Sequence, residues 1–372
     1  MKRYILLFLF LFQTLEKSDV YFTKEISGEK IVEMFKKLNV KLEGNIGLKV
    51  HTGEKDGPYF LRPAFLKNIY DYTNGTFIEC NTAYTSGSRL ITESHKELLE
   101  YNGWSQYRTV ILDEENNTDI TLNVEKPSNI TQNFVGKHIE DYNSCIVLAH
   151  FKGHPMGGFG GAMKQLSIGF ASREGKCHIH SGGFSKNYQE CWNHEALQAD
   201  FTAAMADAAS TVTKYFKDRG GIAYINVLAN ISLWCDCGGT RSPKPKIRDI
   251  GILASTDPIA IDKACYDLIL KENNDGSKEW IKQSETLMGL NTLKKGEEKG
   301  IGSLDYNLID VDKKDENGLW YVYYIIIPVG VLIILGIIIA GIIFYIKKNK
   351  KVEGDDKDYQ GILGESENSK DE

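Results

Sequence analysis

Several signatures that assign a chain of this size to a known class are missing here. The 372 residues contain neither a Gly-x-Ser-x-Gly elbow nor a His-Glu-x-x-His helix, so common signatures of serine hydrolases and zinc peptidases are excluded. No internal repeat is visible. The formal net charge is only −6, which gives no strong attraction to nucleic acid, and we expect no nucleic-acid partner.

Cysteine is sparse and odd in number. The seven cysteines cannot all pair with one another, and a chain this long can bury a sizeable core without a disulfide framework. Disulfides are therefore not expected to be the main scaffold. Cys145 stands inside an apolar run and is interpreted as a buried thiol.

The two ends of the chain indicate a membrane protein. Lys2 and Arg3 precede an apolar run over 4–12, which is the order of a signal peptide, predicted here for residues 1–19. A buried helix and an uncleaved anchor are the alternatives. Near the other end, residues 325–346 carry no charge, and at about 1.5 Å per residue they are long enough for a transmembrane helix.

The flanks of this second segment predict the topology. Four lysines within 347–351 follow it and aromatic residues within 320–324 precede it, which places the lysine-rich flank in the cytosol. We expect a single-pass type I membrane protein whose main domain is extracellular or luminal and whose charged tail, 347–372, is cytosolic. The segment 273–317 is poor in apolar runs and is expected to hold one short helix, with a stalk over 301–324.

Four Asn-x-Ser/Thr sequons are consistent with this topology, because glycosylation needs a luminal or extracellular domain. Asn74, Asn116 and Asn129 are the predicted glycosylation sites, the last two within polar stretches. Asn230 ends an apolar run and is expected to be buried and unmodified.

Strand-like and helix-like patterns alternate through residues 20–300. The run 144–150 is continuously apolar, as in a strand buried on both faces, and 196–218 has apolar residues at helical spacing. Asp257 and Pro258 predict the capped start of another helix. The alternation predicts an α/β domain with a largely parallel sheet and helices on both faces. Strands are predicted at 45–50, 76–80, 109–113, 120–124, 144–150, 222–230 and 249–254, and helices at 63–72, 90–101, 196–218 and 257–270.

Polar and metal-capable residues follow the predicted strands, and parallel sheets bind ligands beyond the carboxyl ends of their strands. Any one of these residues is alternatively an ordinary loop residue. Those that offer imidazole or thiolate ligands to a transition metal are His51, His150, His154, Cys235 and Cys237. Their spacing matches no standard zinc site, and the two cysteines are alternatively an oxidised pair.

The segment after the buried strand is rich in glycine and basic. Gly158, Gly160 and Gly161 allow a ligand to approach the backbone closely. A helix beginning near Gly161 would offer free N–H groups to an anion, with Lys152 and Lys164 adding charge. The spacing fits neither Walker A nor G-x-G-x-x-G, so no nucleotide is predicted. A glycine-rich connecting loop is the alternative.

Collinear segments of the chain resemble the domain of unknown function 362 family, common in prokaryotes. They are 48–54, 81–89, 150–154, 158–166, 169–173, 235–237 and 249–262. The resemblance implies an α/β core and adds Arg89 and Arg173 to the candidate anion site, but it implies no established activity. Many members carry a ferredoxin-like insert with clustered cysteines. The corresponding segment here, 180–191, contains only Cys191, so no iron–sulfur cluster is expected.

The leading hypothesis is a polar site in which imidazoles and thiolates hold a transition metal. In the same site, the lysines, the two arginines and the glycine-loop amides would hold a small anionic ligand. One rival is an enzyme, a metal-assisted hydrolase or isomerase acting on a small anion. The other is a surface binding protein without catalysis. No catalytic residue is assigned.

Overall fold

The computed structural model describes residues 17–114, 119–313 and 327–364. The predicted signal peptide falls almost entirely outside these residues, as do the Asn116 sequon, the aromatic residues within 320–324 and the last residues of the predicted tail. The chain divides into two units, one ending at Asp312 and one beginning at Lys313.

Twelve strands are found among the described residues, all in the first unit. In chain order they are β1 (Ser18–Thr23), β2 (Ile46–Lys49), β3 (Thr76–Glu79), β4 (Thr109–Ile111), β5 (Asp119–Asn123), β6 (Gln132–Gly136), β7 (Ser144–His150), β8 (Lys152–His154), β9 (Gly158–Gly160), β10 (Ile222–Leu228), β11 (Gly251–Ser255) and β12 (Tyr306–Asp310).

Eight of these strands form the main sheet, in the order β12-β1-β11-β10-β7-β2-β3-β4. Every neighbouring pair is parallel except the two pairs that β11 makes, so seven strands share one direction. Two small hairpins, β5-β6 and β8-β9, lie outside this sheet. The predicted α/β fold with a largely parallel sheet is confirmed.

The helices of the first unit cover both faces of the sheet. They are α1 (Gly28–Lys37), α2 (Lys67–Thr73), α3 (Thr92–Tyr101), α4 (Ala162–Lys164), α5 (Arg173–His180), α6 (Tyr188–Cys191), α7 (Gln198–Lys217), α8 (Pro258–Glu272), α9 (Asp275–Thr286) and α10 (Gly289–Glu298). Ile31 of α1 packs into one hydrophobic core, whereas Val212 of α7 and Ile259 of α8 pack into the other.

Strand β7 is the centre of both cores. All seven of its residues are buried, and because successive side chains of a strand point to opposite faces, Cys145 and Val147 enter one core while Ile146 and Leu148 enter the other. The prediction of a strand buried on both faces is confirmed, and so is the interpretation of Cys145 as a buried thiol.

The start of α8 also follows the sequence. The Asp257 carboxylate accepts hydrogen bonds from the backbone N–H groups of Ile259 and Ala260 at 2.8 and 2.9 Å. Pro258 occupies the first turn, where its missing N–H is not needed. The predicted N-cap is therefore confirmed.

Two expectations differ from the structure. The segment 273–317 holds two helices, α9 and α10, and then β12, which pairs in parallel with β1; residues 306–310 thus belong to the sheet, although the stalk was assigned from residue 301. Asn230 is exposed rather than buried, because the chain turns there in a left-handed conformation with a φ of 50°.

The second unit contains one described helix, α11 (Ile327–Gly364). Within the described residues, its segment Ile327–Lys348 is the one helical stretch long and apolar enough to cross a membrane by length and composition. It coincides with the apolar segment recognised in the sequence. The helix continues to Gly364, into the segment assigned to the cytosolic tail.

Candidate ligand-binding site

The site lies where the strand order of the sheet reverses. From β2 the chain adds β3 and β4 on one side, whereas β7 and β10 lie on the other side. Open α/β sheets bind ligands at such a point, beyond the carboxyl ends of the strands. His51 follows β2, Arg89 follows β3, Lys152 follows β7, and Cys235 and Cys237 follow β10, so the loops after four neighbouring strands meet here.

A cavity of about 60 Å³ opens at this edge of the sheet. A larger cleft of about 630 Å³ adjoins it, and the two share Thr82, Tyr84, Trp192 and Cys237 in their walls. The inner cavity is strongly basic. Its walls include Arg89, Lys152, Lys164 and Lys176 but one carboxylate, Glu79.

Glu79 neutralises two of the surrounding cations. Its carboxylate accepts a hydrogen bond from Lys49 Nζ at 2.7 Å and faces Arg89 Nη1 at 3.3 Å, and all three side chains are buried. Burial alone would raise the pKa of Glu79, but the cations of Lys49 and Arg89 lower it to about 2. Arg89 also binds Glu54 at 2.7 Å and reaches His51.

A second carboxylate, Asp236, is paired with Lys152 and His150. Lys152 Nζ lies 2.7 Å from Asp236, and His150 Nδ1 lies 2.9 Å from the same carboxylate while its Nε2 lies 2.7 Å from the Ala229 carbonyl oxygen. Burial opposes ionisation, but His150 and Lys152 hold the pKa of Asp236 well below its ordinary value. Both ring nitrogens of His150 face acceptors, so this arrangement offers no lone pair to a metal.

Two lysines of the cavity remain without a carboxylate. The ion pairs around the pocket involve neither Lys164 nor Lys176. Lys176 is buried and donates to the Ala171 carbonyl oxygen at 2.6 Å, and burial lowers its pKa. The cavity therefore has an excess of positive charge among its described residues.

A thiol cluster lies at the mouth of the cavity. His51, Cys235 and Cys237 each offer one ligand atom, and these atoms lie within 4.8 Å of one another. No other group of three metal-capable side chains occurs in the part of the chain that the structure describes. One imidazole and two thiolates suit a soft transition metal such as zinc.

Hydrogen bonds restrict the two imidazoles near this cluster. His154 Nδ1 accepts the backbone N–H groups of Met156 and Gly157 at 3.2 and 2.9 Å, so the neutral ring carries its proton on Nε2 and donates it to Cys235. His154 is thus a thiolate partner in this arrangement, not a ligand. His51 Nδ1 accepts the Gly53 backbone N–H at 3.0 Å and its Nε2 lies 3.2 Å from Arg89 Nη2. Burial and Arg89 lower the pKa of His51, so its ring is neutral.

The same contacts set the charge of the two cysteines. The Cys237 thiol, which donates to Cys235, lowers the pKa of Cys235 well below its ordinary value, and Lys164, His154 and His51 add to the effect. The hydrogen bond to Cys235 raises the pKa of Cys237. Cys235 is therefore the cysteine of the pair that ionises more readily.

The structure does not provide three of the predicted anion contacts, namely those of the N–H groups at the start of α4, of Gly158 and of Arg173. Asp262 of α8 accepts the backbone N–H groups of Ala162 and Met163 at 2.8 and 2.9 Å, so the glycine-loop amides at the start of α4 are already occupied. Gly160 and Gly161 still line the cavity. Gly158 lies outside it, in the positive-φ turn that packs against Gly289.

Arg173 also lies outside the cavity. Its guanidinium stacks on the Tyr188 ring at 4.2 Å, and its backbone N–H donates to Asp113 at 2.9 Å. Lys176, three residues further along α5, lines the cavity instead.

Sequence reasoning missed several residues of the site. Lys176 belongs to the same Ser-Arg-x-Gly-Lys segment as Arg173, so the sequence indicates a cation from this segment but not which of the two enters the cavity. Asp236 was visible only as the residue between two cysteines. Tyr84 and Trp192 carried no signal, because aromatic residues in loops are common.

An α/β domain with a basic pocket at the switch point of its sheet is the class of protein that these observations define. The model of a family described as a domain of unknown function, DUF362, matches residues 46–267, and the chain belongs to this family. The match spans every residue named above in the walls of the pocket. No curated protein matches the chain.

Two solved structures are similar to parts of this chain. The lactate racemase apoprotein from Thermoanaerobacterium thermosaccharolyticum is 12% identical, with 67% of this chain and 57% of that chain covered and a TM-score of 0.38. A protein from Thermotoga maritima is 13% identical, with 70% and 59% covered and a TM-score of 0.37. The chain thus spans less than two thirds of either protein, and likeness at these TM-scores carries no argument about activity.

The ion-pair network predicts the effect of removing Glu79. Glu79→Gln leaves Lys49 buried without a counter-charge and leaves Arg89 with Glu54 alone, and loss of one partner of a buried ion pair costs about 3–5 kcal/mol. Denaturant unfolding followed by tryptophan fluorescence measures the free energy of unfolding. Asp71→Asn, which breaks the exposed Lys67–Asp71 pair, is the control and is expected to change little. Equal stability of the two variants would contradict the network.

Proposed function

We propose that the domain binds a small anionic ligand in the basic cavity at the carboxyl edge of its sheet. The observation that carries the proposal is the presence of Lys164 and Lys176 in the cavity with no carboxylate of the described residues in ion-pair contact, although the more distant Asp113 and Glu79 also act on the charge of Lys176. Removing a cation from water without a counter-charge is costly. A bound anion supplies that charge and is stabilised by it.

The shape of the site suggests the chemical class of the ligand. The inner cavity of about 60 Å³ has room for one small anionic group, such as a carboxylate or phosphate, or for a few waters. The outer cleft is about tenfold larger and is bordered by Tyr84, Trp192 and Trp234. These rings offer flat apolar surfaces to the body of a ligand. The proposed ligand therefore has an anionic head and an apolar or planar body.

This proposal predicts distinct roles for the two compartments. Phenyl phosphate is expected to bind more tightly than inorganic phosphate, because the phenyl ring gains contact with the aromatic cleft. Lys164→Ala and Lys176→Met are each expected to weaken binding of both probes by at least about tenfold, since a hydrogen bond to a charged group contributes about 1.5–3 kcal/mol. Titration calorimetry on the purified protein measures both effects.

Lys37→Ala is the matched control, because Lys37 is an exposed lysine at the end of α1. It is expected to leave binding unchanged. If neither probe binds saturably at millimolar concentration, or if the two cavity variants bind as the wild type does, the anion site is not as proposed. Benzoate and acetate form the corresponding carboxylate pair and distinguish the two kinds of head group.

A transition metal at the thiol cluster is the second candidate, favoured by the close approach of ligand atoms from His51, Cys235 and Cys237. A metal held by three protein ligands keeps an open position, and here that position would face a cavity that holds an anion. This combination suits a metal-assisted hydrolase or isomerase. Without a metal, the same pocket suits a non-catalytic surface binding protein.

Elemental analysis tests the metal candidate. The purified protein is expected to carry close to one equivalent of a transition metal, and Cys235→Ser and Cys237→Ser are each expected to lose it, because each removes a ligand. Cys145→Ser, at a buried thiol in β7, is the control for a generic effect of losing a cysteine. Less than about a tenth of an equivalent in a folded wild type would exclude a resident metal.

We further propose the type I topology, with the pocket on the extracellular or luminal side. Its supports are the apolar helix at Ile327–Lys348 and the four lysines within 347–351 at its end. Of the sequons in described residues, Asn74 and Asn230 are exposed and Asn129 is half-buried, so Asn74 is better placed for glycosylation than Asn129. Asn230 becomes an accessible sequon as well.

Glycosidase treatment of the protein from its own cells tests the topology. A downward mobility shift is expected, and Asn74→Gln is expected to reduce it, because one glycan is lost. Protease protection gives the independent readout. An extracellular α/β domain is expected to be cleaved when protease is added to intact cells, whereas a luminal one is expected to be protected in sealed vesicles. The absence of a shift together with a cytosol-facing α/β domain would reverse the topology.

A further inference from the structure

A second pair of cysteines lies behind the wall of the pocket. The Sγ atoms of Cys177, in α5, and Cys191, the last residue of α6, are 2.6 Å apart. Non-bonded heavy atoms settle at about 3.5–4.0 Å, whereas the sulfurs of a disulfide are about 2.05 Å apart. The two helices therefore hold these sulfurs closer than two unlinked thiols pack.

The surroundings of the pair give the thiols no other role. Both residues are fully buried and form a small cluster with Ala83, against which Tyr188 and Trp192 pack. Neither thiol belongs to the cluster at the mouth of the cavity. Besides Cys177, the polar contact of Cys191 Sγ among the described residues is the Tyr188 carbonyl oxygen at 3.8 Å.

We propose that Cys177 and Cys191 form a disulfide that fastens α6 to α5. The two cysteines are 14 positions apart in the sequence, a separation at which a cross-link lowers the entropy of the unfolded chain appreciably. The inference rests on the proposed topology, because disulfides persist in the secretory pathway and not in the cytosol.

The oxidation balances by thiol–disulfide exchange with a disulfide of the oxidising compartment, on a protein oxidant or a small molecule. One cysteine thiolate attacks a sulfur of that disulfide, which forms a mixed disulfide and expels one thiolate. The second cysteine attacks the mixed disulfide, which forms the Cys177–Cys191 bond and expels the other thiolate. The two protons lost by the cysteines protonate the leaving thiolates. Both sulfurs are buried in the folded domain, so the exchange precedes the closure of α5 and α6 over them.

The disulfide has a consequence for the pocket. Trp192 follows Cys191 directly, and its indole Nε1 donates to the Ala83 carbonyl oxygen at 2.8 Å. Its ring lies against Tyr84, with centroids 5.9 Å apart, and against His180 of α5 at 5.0 Å. Helix α6 has only four residues, too short to be stable by itself. The cross-link therefore fixes the wall shared by the two compartments.

Differential alkylation of the full-length protein tests the proposal. Cells are lysed under denaturing conditions in N-ethylmaleimide, which labels the free thiols first. The protein is then reduced and treated with iodoacetamide, and the label on each cysteine peptide is identified by mass spectrometry. Cys177 and Cys191 are expected to carry the second label, whereas the buried thiols Cys145 and Cys265 carry the first. The unreduced digest is expected to contain a linked peptide lighter by two hydrogens than the sum of its parts.

If Cys177 and Cys191 take the first label in full, the disulfide proposal is overturned. The glycosylation state of the same sample then shows what failed: a glycosylated protein with free thiols retains the topology, whereas an unglycosylated protein with free thiols loses both.

Melting temperatures give a second readout that mere packing does not reproduce. Cys177→Ala, Cys191→Ala and the double variant are expected to lower Tm by the same amount, roughly 5 °C, because either single change already breaks the bond. If the two thiols only packed together, the decrease in Tm of the double variant would be closer to the sum of the decreases of the single variants. A double variant that loses about twice as much as each single variant would therefore overturn the proposal.

Discussion

The site depends on the ion pairs that the Glu79 carboxylate makes at the end of β3. This carboxylate accepts a hydrogen bond from Lys49 Nζ, at the end of β2, and faces the guanidinium of Arg89, which comes from the loop after β3. Arg89 in turn contacts Glu54 and His51. One buried negative charge thus fixes two strands and two loops, and it places the His51 imidazole beside the two cysteines.

Two further carboxylates pair with groups that could otherwise bind a ligand, and the cations that stay unpaired set the charge of the pocket. Asp236 occupies Lys152 and His150, and Asp262 occupies the backbone N–H groups at the start of α4. From the sequence alone, these side chains and N–H groups are predicted to contact a ligand. What remains in the cavity is Lys164 and Lys176, so the anion site is defined by the donors that the fold leaves over.

This competition explains how far sequence reasoning reached. The parallel sheet, the buried strand β7 and the cap of α8 follow from local patterns. The strand-end rule brings together His51, Lys152, Cys235 and Cys237, and the glycine-rich segment adds Lys164. The roles within the site depend on partners distant in sequence. Asp262 reaches Ala162 across 100 residues, and His150 meets Asp236 across 86. No local pattern encodes those pairings, and for the same reason the pairing of β12 with β1 was missed.

The anion and metal proposals are compatible, because a metal at the thiol cluster would not neutralise the lysines that are proposed to bind the anion. A divalent metal bound by two thiolates and a neutral imidazole has no net charge, and His154 contributes only a neutral N–H donor. Loading the thiol cluster would therefore leave the excess charge of Lys164 and Lys176 uncompensated, and the reason for binding an anion would persist. Without a metal, the Cys235 thiolate beside Lys164 offsets one cation of the pocket at most. Metal occupancy consequently decides whether the bound anion meets a Lewis acid or a thiolate, while the lysines decide that an anion binds at all.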